Sequence, residues 1–282
     1  MSTFIFYRPA GDPPVLLSDV AEAIASLAIA WDGPTGPYRP GRWQDAATGA
    51  SAVIDLGTPP LEVDTLHPAK AYDGWADTGV AVHLPLAGPH WHAVEALRVV
   101  EVVLQAFPDW RALDTEDTIV EPGDQAGPFP WDRPRASLTW ERQRDARIAD
   151  LLAMPRMSRR ASVALWRYRR ERTAGQAAHP SLLWPEALVL LDRDLGLARS
   201  AALWSDPAQE LALPPVELLV IPRAGGHGVL PVDEVLAAGP SRPMPVAGAL
   251  HLPAGSRTDL FNRAILLPAS RFSVLAWVDW AD

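Results

Sequence analysis

The chain has 282 residues, of which 48% are hydrophobic and 21% are charged, and its 34 acidic and 25 basic residues give a net charge of -9. That balance is typical of a folded globular protein and excludes a chain that is disordered throughout. The absence of cysteine excludes disulfide scaffolds, thiolate metal sites and cysteine nucleophiles. At roughly 100 to 200 residues per domain, the length favours two lobes, or one large domain with an insertion.

The sequence also gives an expectation about the cellular compartment. Residues 1–8 lack the basic segment and apolar core of a signal peptide. The longest apolar segment, residues 94–107, is interrupted by Glu95, Arg98 and Glu101, so no membrane span is predicted. Only Lys70 is a lysine among the basic residues, which we attribute to codon usage in a GC-rich bacterium. We expect a soluble cytoplasmic protein.

Hydrophobic periodicity in the first 106 residues predicts the order strand, helix, strand, strand, helix. The predicted strands are residues 3–7, 51–56 and 78–86, and the predicted helices are 18–30, with Ser18 as N-cap, and 89–106. Residues 32–49 are rich in glycine and proline and are predicted as a loop. This order is most of a two-layer α/β sandwich of the ferredoxin-like kind.

The rest of the chain is predicted to contain a proline-rich connection, two helices and then mainly strands. Residues 121–134 have no periodicity and are predicted as a linker or surface loop. Helices are predicted at 136–154 and 158–173, with a break at 175–185. The predicted later elements are strands at 187–191, 198–204, 216–221, 248–252, 264–267 and 274–280, and a short helix at 232–237.

Together these patterns predict an α+β protein in three parts. The parts are an N-terminal ferredoxin-like lobe (1–132), a basic helical insert (133–176) and a C-terminal lobe with a mainly antiparallel sheet (177–282). Charge follows this division. Residues 1–132 carry a net charge of -13, residues 133–172 carry +8, and residues 173–282 carry -4. The modest total therefore conceals a strongly polarised chain.

Two interpretations of the basic insert stay open. Its arginines could bind phosphate or nucleic acid, with Trp166 and Tyr168 stacking on bases. Alternatively, the segment lies against the acidic lobe or presents a solvated face. We favour the second interpretation, because the acidic lobes would repel a polyanion and no nucleic-acid-binding module is recognisable. The arginines concerned are Arg156, Arg159, Arg160, Arg167, Arg169, Arg170 and Arg172.

Acidic residues are concentrated at 109–132, in loop-like sequence that also contains Trp110, Phe129 and Trp131. Carboxylates beside exposed aromatic rings suit a patch that binds a basic protein, since charge steers the encounter and aromatic residues anchor it. The alternative is a solvated loop whose tryptophans fold into the core. The residues that we assign to partner binding are Trp110, Asp114, Glu116, Asp117, Glu121, Asp124 and Trp131.

Enzymatic chemistry has fewer candidates. His83, His90 and His92, together with Asp73 or Asp77, could bind zinc or iron in a small hydrolase or metal-dependent enzyme. However, alternate spacing points two rings the same way only in a strand, and His90 and His92 lead into a predicted helix. The glycine-rich residues 223–228 lack the P-loop residues, and residues 192–194 are typical of a hairpin turn. We predict no catalytic residue, no metal and no cofactor.

In overall character the chain resembles bacterial immunity proteins that neutralise polymorphic toxins, including effectors of type VI secretion. The residues that carry this likeness are 107–117 (FPDWRALDTED) and 184–192 (WPEALVLLD), in a cysteine-free, acidic, tryptophan-rich chain without catalytic motifs. The likeness transfers no individual site. It implies stoichiometric inhibition of one cognate toxin, often by covering the toxin's active site, and the net charge of -9 suits a basic toxin such as a nuclease.

The sequence therefore predicts a cytoplasmic, non-enzymatic protein that binds and neutralises a cognate toxin or effector. Two other classes remain as alternatives. One is a small hydrolase or metal enzyme that uses His83, His90 and His92, and the other is a nucleic-acid-associated protein that acts through the arginine-rich insert. We expect neither a membrane nor nucleic acid as a partner.

Overall fold

The computed structural model describes all residues except 34–35, 58–71, 116–129, 148–153, 207–208, 224–225, 247, 256–266 and 277–278. It divides into two compact units, residues 1–86 with 92–150, and residues 87–91 with 151–282. This division differs from the predicted three parts, because residues 133–150 belong to the first unit and 151–176 to the second. The arginine-rich segment is therefore shared between the units.

The described residues form five α-helices: α1 Leu17–Ala23, α2 His90–Ala106, α3 Arg133–Ala146, α4 Arg159–Ala178 and α5 Val232–Ala237. None of these helices has both the length and the apolar composition needed to span a membrane. The strands are β1 Ser2–Pro9, β2 Ala30–Trp31, β3 Arg39–Gln44, β4 Ser51–Leu56, β5 Trp75–Leu84, β6 Arg111–Asp114, β7 Ala187–Asp192, β8 Leu197–Leu203, β9 Leu211–Leu213, β10 Leu218–Arg223, β11 Gly226–Pro231, β12 Arg242–Pro243, β13 Leu250–Leu252, β14 Leu267–Pro268 and β15 Phe272–Val274.

The first unit is built on an antiparallel sheet with the strand order β2-β3-β4-β5-β1-β6. Alternate residues of its central strands are buried, among them Phe4, Ile54 and Val82, as expected for a sheet with one covered face. Helix α2 contributes further buried side chains, including Leu97 and Val100. Strands β1, β4, β5 and β6, with α1 and α2, follow the β-α-β-β-α-β order of a ferredoxin-like sandwich, so the predicted α+β class is confirmed.

Two predicted elements of the first unit were wrong. Residues 32–49, predicted as a loop, contain β3, which pairs with β4 along its whole length. Gly41 lies within β3 and not in a turn. Glycine is needed there because a Cβ at this position would lie 2.5 Å from the ring of Trp31. Helix α1 ends at Ala23 rather than residue 30, because Ile24 leaves the helical conformation. A 3₁₀ turn at Ala25–Leu27 follows, and it ends at Ala28, which has a left-handed φ of 50°. Ser18 lies inside α1 and is not its N-cap.

The second unit contains two sheets, with strand orders β14-β11-β10-β8-β7-β15 and β12-β13-β9. Each described neighbouring pair is antiparallel except β8 and β10, which are parallel. The prediction of a mainly antiparallel C-terminal sheet is therefore confirmed.

Asp192 ends β7 just before the turn to β8, and its carboxylate accepts hydrogen bonds from Arg271 Nε (2.8 Å) and Nη2 (2.7 Å). It acts as a structural anchor.

Helix α4 is fixed in rotation by its buried side. Tyr168 donates its hydroxyl to the carbonyl of Pro185 at 2.8 Å and stacks on Trp184, with 6.2 Å between ring centroids. Gly175 faces the same ring, and a Cβ there would lie 2.4 Å from it. The helix continues to Ala178, four residues into the predicted break at 175–185, because this glycine serves a close contact and does not terminate the helix.

The start of α2 is held within the second unit by a buried polar cluster. Asp282 accepts a hydrogen bond from the backbone N–H of His90 at 3.0 Å and pairs with the His90 ring. Trp91 Nε1 donates to Ser162 Oγ at 3.0 Å, and its ring lies edge-on to Trp280. Burial opposes ionisation of Asp282, but its interactions with His90 and Ser162 outweigh burial and lower its pKa to about 2.

His92 is fully buried in the first unit, and its Nε2 accepts a hydrogen bond from the backbone N–H of Ser51 at 2.8 Å. Burial lowers the pKa of His92 below its ordinary value of 6.5, although Nε2 also lies 3.2 Å from the backbone carbonyl of Ser51, a contact that favours the charged form. The imidazole is therefore neutral at pH 7 in the folded protein, and it joins the start of β4 to α2.

Substituting Gly175→Ala should lower the free energy of unfolding by about 1 to 3 kcal/mol, because the added methyl overlaps the Trp184 ring. In a Trp184→Leu background the same substitution should be neutral or stabilising, since alanine has the higher helix propensity. Urea denaturation of the four proteins measures this coupling. Equal effects of Gly175→Ala in both backgrounds would contradict the contact.

The unfolded chain takes up a proton on His92 at a higher pH than the folded chain does. The free energy of unfolding should therefore decrease as the pH falls below 7. The stabilisation that comes from burying a neutral His92 should be fully present above about pH 6.5. It should be lost as the pH falls from there toward the folded-state pKa. Urea midpoints measured from pH 7.5 to 5 should show a smaller pH slope in His92→Gln. The exposed His227→Gln is the control, and equal slopes in all three proteins would be the contrary result.

Candidate functional site

The predicted acidic segment begins as a strand. Residues 111–114 form β6, which pairs antiparallel with β1, so that Asp114 lies opposite Phe4. Among the described strands β6 is the last in its sheet, and its outer side carries the row of backbone donors and acceptors typical of an edge. The sequence-based expectation of a loop here was wrong, because pairing with β1 determines the backbone.

Trp110, one of the residues assigned to partner binding, lies in the core. It is 5% exposed, stacks on Phe107 with 4.1 Å between ring centroids, and lies 6.5 Å from Phe6. Its ring therefore offers almost no surface to a partner. Trp110 therefore follows the alternative interpretation, in which the tryptophans of this segment fold into the core.

Trp131 and Asp114 come together although they are 17 positions apart in the sequence. Both line a small depression beside β6, whose floor includes Phe4 and Ala136 and whose rim includes Asp132. The Trp131 ring is half-buried and lies edge-on to Phe4 at 5.9 Å. With a volume of about 50 Å³, the depression is smaller than a typical small-molecule site, but it has room for part of a side chain.

The start of α3 determines where Trp131 lies. Asp132 caps this helix by accepting a hydrogen bond from the backbone N–H of Arg135 at 3.1 Å. Arg133 pairs with Glu101 of α2 at 3.0 Å and donates to the carbonyl of Val94. The first turn of α3 is thereby attached to α2, so Trp131 is presented by a rigid part of the unit.

Four other residues assigned to partner binding, Glu116, Asp117, Glu121 and Asp124, lie outside the described residues. The described positions on either side of them are Asp114 and Thr115, and Pro130 and Trp131. The depression beside β6 thus lies where the most acidic part of the sequence begins and ends.

A chain of hydrogen bonds crosses the other face of the same sheet. Thr3 Oγ1 lies 3.0 Å from His83 Nδ1, and His83 Nε2 lies 3.0 Å from Asp55 Oδ2. Tyr38 donates its hydroxyl to Asp55 Oδ1 at 3.2 Å. The pairing of β1 with β5 places Thr3 directly opposite His83. Because Asp55 accepts from Nε2, Nδ1 is left to accept the Thr3 proton, the order found in nucleophile, base and orienting acid.

The histidines proposed as metal ligands are not brought together. His83 contacts Thr3 and Asp55, His90 pairs with Asp282, and His92 is buried against Ser51. Within the part of the chain that the structure describes, no cluster of three or more histidine, cysteine or acidic side chains is arranged to hold a metal ion. The described geometry therefore gives no support to the metal-enzyme alternative.

The arginines of α4 divide between two environments. Arg159, Arg160, Arg167 and Arg170 are exposed, whereas Arg172 is half-buried and donates from Nε to the carbonyl of Trp184 at 3.1 Å. Of the exposed residues, Arg159, Arg160 and Arg167 line one shallow depression with Val163 and Ala164.

The two aromatic residues considered for base stacking are engaged within the unit. Tyr168 is buried, and Trp166 is half-buried beneath the Arg170 guanidinium, 5.4 Å from the ring centroid.

Within the glycine-rich range 223–228, residues 223 and 226–228 lie in paired strands, and residues 224–225 are outside the described residues. Strands β10 and β11 pair with Pro222 opposite His227 and Arg223 opposite Gly226. A phosphate-binding turn needs a strand that leads directly into a helix, and here β11 intervenes before α5. The described residues of this range are therefore strand residues and do not form such a turn.

Comparisons of the chain with protein-family models, with curated proteins and with solved structures gave no match.

Proposed function

We propose that this chain is a non-enzymatic binding protein that neutralises a cognate toxin or effector by direct contact, and that the partner docks at the β6 edge of the first unit. The observation that supports this most is the depression that joins Asp114 to Trp131. It combines the buried apolar residues Phe4, Ala112 and Ala136 with the half-buried Asp114 and the exposed carboxylate of Asp132, which suits an arginine or lysine side chain whose apolar stem is buried.

Electrostatics favours a basic partner at this edge. Residues 1–132 carry a net charge of -13. The described charged groups that line the depression are Asp114, Asp132 and Arg135, and β6 itself also carries the half-buried Arg111. A field of this sign accelerates the encounter with a positively charged protein. Strand β6 also leaves an edge to which an extended segment of the partner can add a further strand.

The residue assignment is narrower than the sequence-based one. Trp131 is retained as an anchor, and Asp132 is added because it lines the same depression. Trp110 is removed because its ring is enclosed by Phe6 and Phe107. Glu116, Asp117, Glu121 and Asp124 remain proposed contributors to the charge of this edge.

The proposal predicts that the triple variant Glu116→Arg, Asp117→Arg, Asp124→Arg binds its partner at least tenfold more weakly, with the loss mainly in the association rate. The same charge change in Asp12→Arg, Asp19→Arg, Glu22→Arg, three exposed residues before and within α1, should leave binding unchanged. Thermal unfolding should be nearly the same in all proteins.

The partner is sought among the proteins encoded by the reading frames that flank this gene. Each is co-expressed with the chain and scored for toxicity and its suppression, and binding of the purified pair is measured by calorimetry and stopped flow. The absence of a toxic neighbour would count against an immunity role. Equal binding by the two triple variants would exclude the β6 edge as the docking surface.

A second candidate function, hydrolysis of an ester, is favoured by the chain from Thr3 through His83 to Asp55. In such a reaction Thr3 Oγ1 would attack the ester carbonyl and its proton would pass to His83 Nδ1, while Asp55 stabilises the imidazolium. The alcohol would leave with that proton, and water would then hydrolyse the acyl-threonine. The half-buried apolar residues Ile5 and Val53 flank the chain on the same face.

If this second function is correct, the protein releases p-nitrophenol from p-nitrophenyl acetate, and the isosteric variant Thr3→Val reduces release to the rate in buffer. His83→Gln should have the same effect, because it removes the base. Thr173→Val, at an exposed position of α4, is the control. Unchanged release by Thr3→Val, or an acetyl group found by mass spectrometry elsewhere than on Thr3, would rule this function out.

A further inference from the structure

The solvent side of α4 has an ordered arrangement of charge. Arg159 and Arg160 stand at its beginning, Arg167 stands about two turns later and Arg170 about three turns later. All four are exposed, and Arg170 is followed by the exposed Glu171. At 1.5 Å per residue, Arg159 and Arg167 are separated by about 12 Å along the helix axis. Val163 and Ala164, which are half-buried, lie between the two pairs. The side therefore has two guanidinium pairs and a small apolar floor.

The orientation of this side is fixed by the packing of the other. Ser162, Leu165, Tyr168 and Gly175 are buried along α4, and Gly175 lies so close to the Trp184 ring that a Cβ there would come within 2.4 Å of it. The packing of this buried side in the second unit leaves the arginine pairs on the solvent side.

We infer that this side of α4 is a binding surface for an acidic protein segment in helical conformation, distinct from the β6 edge and independent of the function proposed for that edge. Carboxylates seven or eight residues apart on a helix are separated along its axis by about 10 to 12 Å, the same rise that separates Arg160 or Arg159 from Arg167 along α4. Arginine binds carboxylates through two parallel hydrogen bonds, which gives geometric selectivity as well as attraction.

The same features argue against nucleic acid as the occupant. A phosphate backbone makes no use of an apolar floor, whereas Val163 and Ala164 give a partner helix a close approach and a place for a methyl or isobutyl group. The remaining charge of the chain also opposes a long polyanion, since the total is -9 despite these arginines. A short acidic segment meets less of this repulsion than an extended nucleic acid does.

The test uses the full chain and a synthetic 20-residue alanine-rich peptide with glutamate pairs eight residues apart and leucine between them. Fluorescence anisotropy at low ionic strength should show binding that weakens with salt. Binding should fall at least tenfold in Arg160→Glu, Arg167→Glu. It should be retained in Arg42→Glu, Arg242→Glu, which makes the same charge change at exposed positions of β3 and β12.

Three further measurements make the outcome decisive. A peptide of the same composition with all glutamates adjacent should bind at least threefold more weakly, and equal binding would overturn the proposed spacing. A 20-base-pair DNA duplex should bind more weakly than the peptide, and tighter binding would mean that the surface recognises phosphates. Circular dichroism should give the same melting temperature for both double variants, and failure of the unmodified chain to bind the peptide would overturn the proposal.

Discussion

Strand β1 determines the position of nearly everything of interest in the first unit. It lies between β5 and β6, and its register puts Thr3 opposite His83 on one side and Phe4 opposite Asp114 on the other. Because side chains alternate along a strand, the hydrogen-bonded chain and the buried core are fixed by the same pairing. A shift of one residue would exchange the two faces and remove both the β6 depression and the threonine–histidine contact.

The local sequence was sufficient to predict the bounds of a helix or strand where the hydrophobic pattern of that segment alone determines them. The predicted strand at residues 51–56 and the helix at 232–237 agree with β4 and α5 at both ends. Prediction was wrong where a distant segment provides the pairing or the packing. Gly41 and Gly175 look like turn or break residues in isolation, but each is a position where a tryptophan ring lies too close for a Cβ. No local pattern carries that information.

The residues of the candidate site were also only partly predictable from the sequence. The sequence shows that carboxylates and tryptophans are concentrated near residue 110, but it does not show which of these side chains are exposed. Trp110 and Trp131 have similar acidic neighbours along the chain, yet one is enclosed by Phe6 and Phe107 while the other lines the β6 depression. The difference arises from the pairing of β6 and from the attachment of α3 to α2 through Arg133 and Glu101. Both are contacts between segments far apart in sequence.

The cluster at the start of α2 has a consequence for the order of assembly. His90 and Asp282 are separated by 192 positions, and Trp91 packs on Trp280, although the residues after His90 and Trp91 in α2 belong to the first unit. During synthesis these side chains emerge long before their partners do. Contacts across such a separation close late and slow folding, so the second unit acquires its complete core only when the residues around 280 have been made.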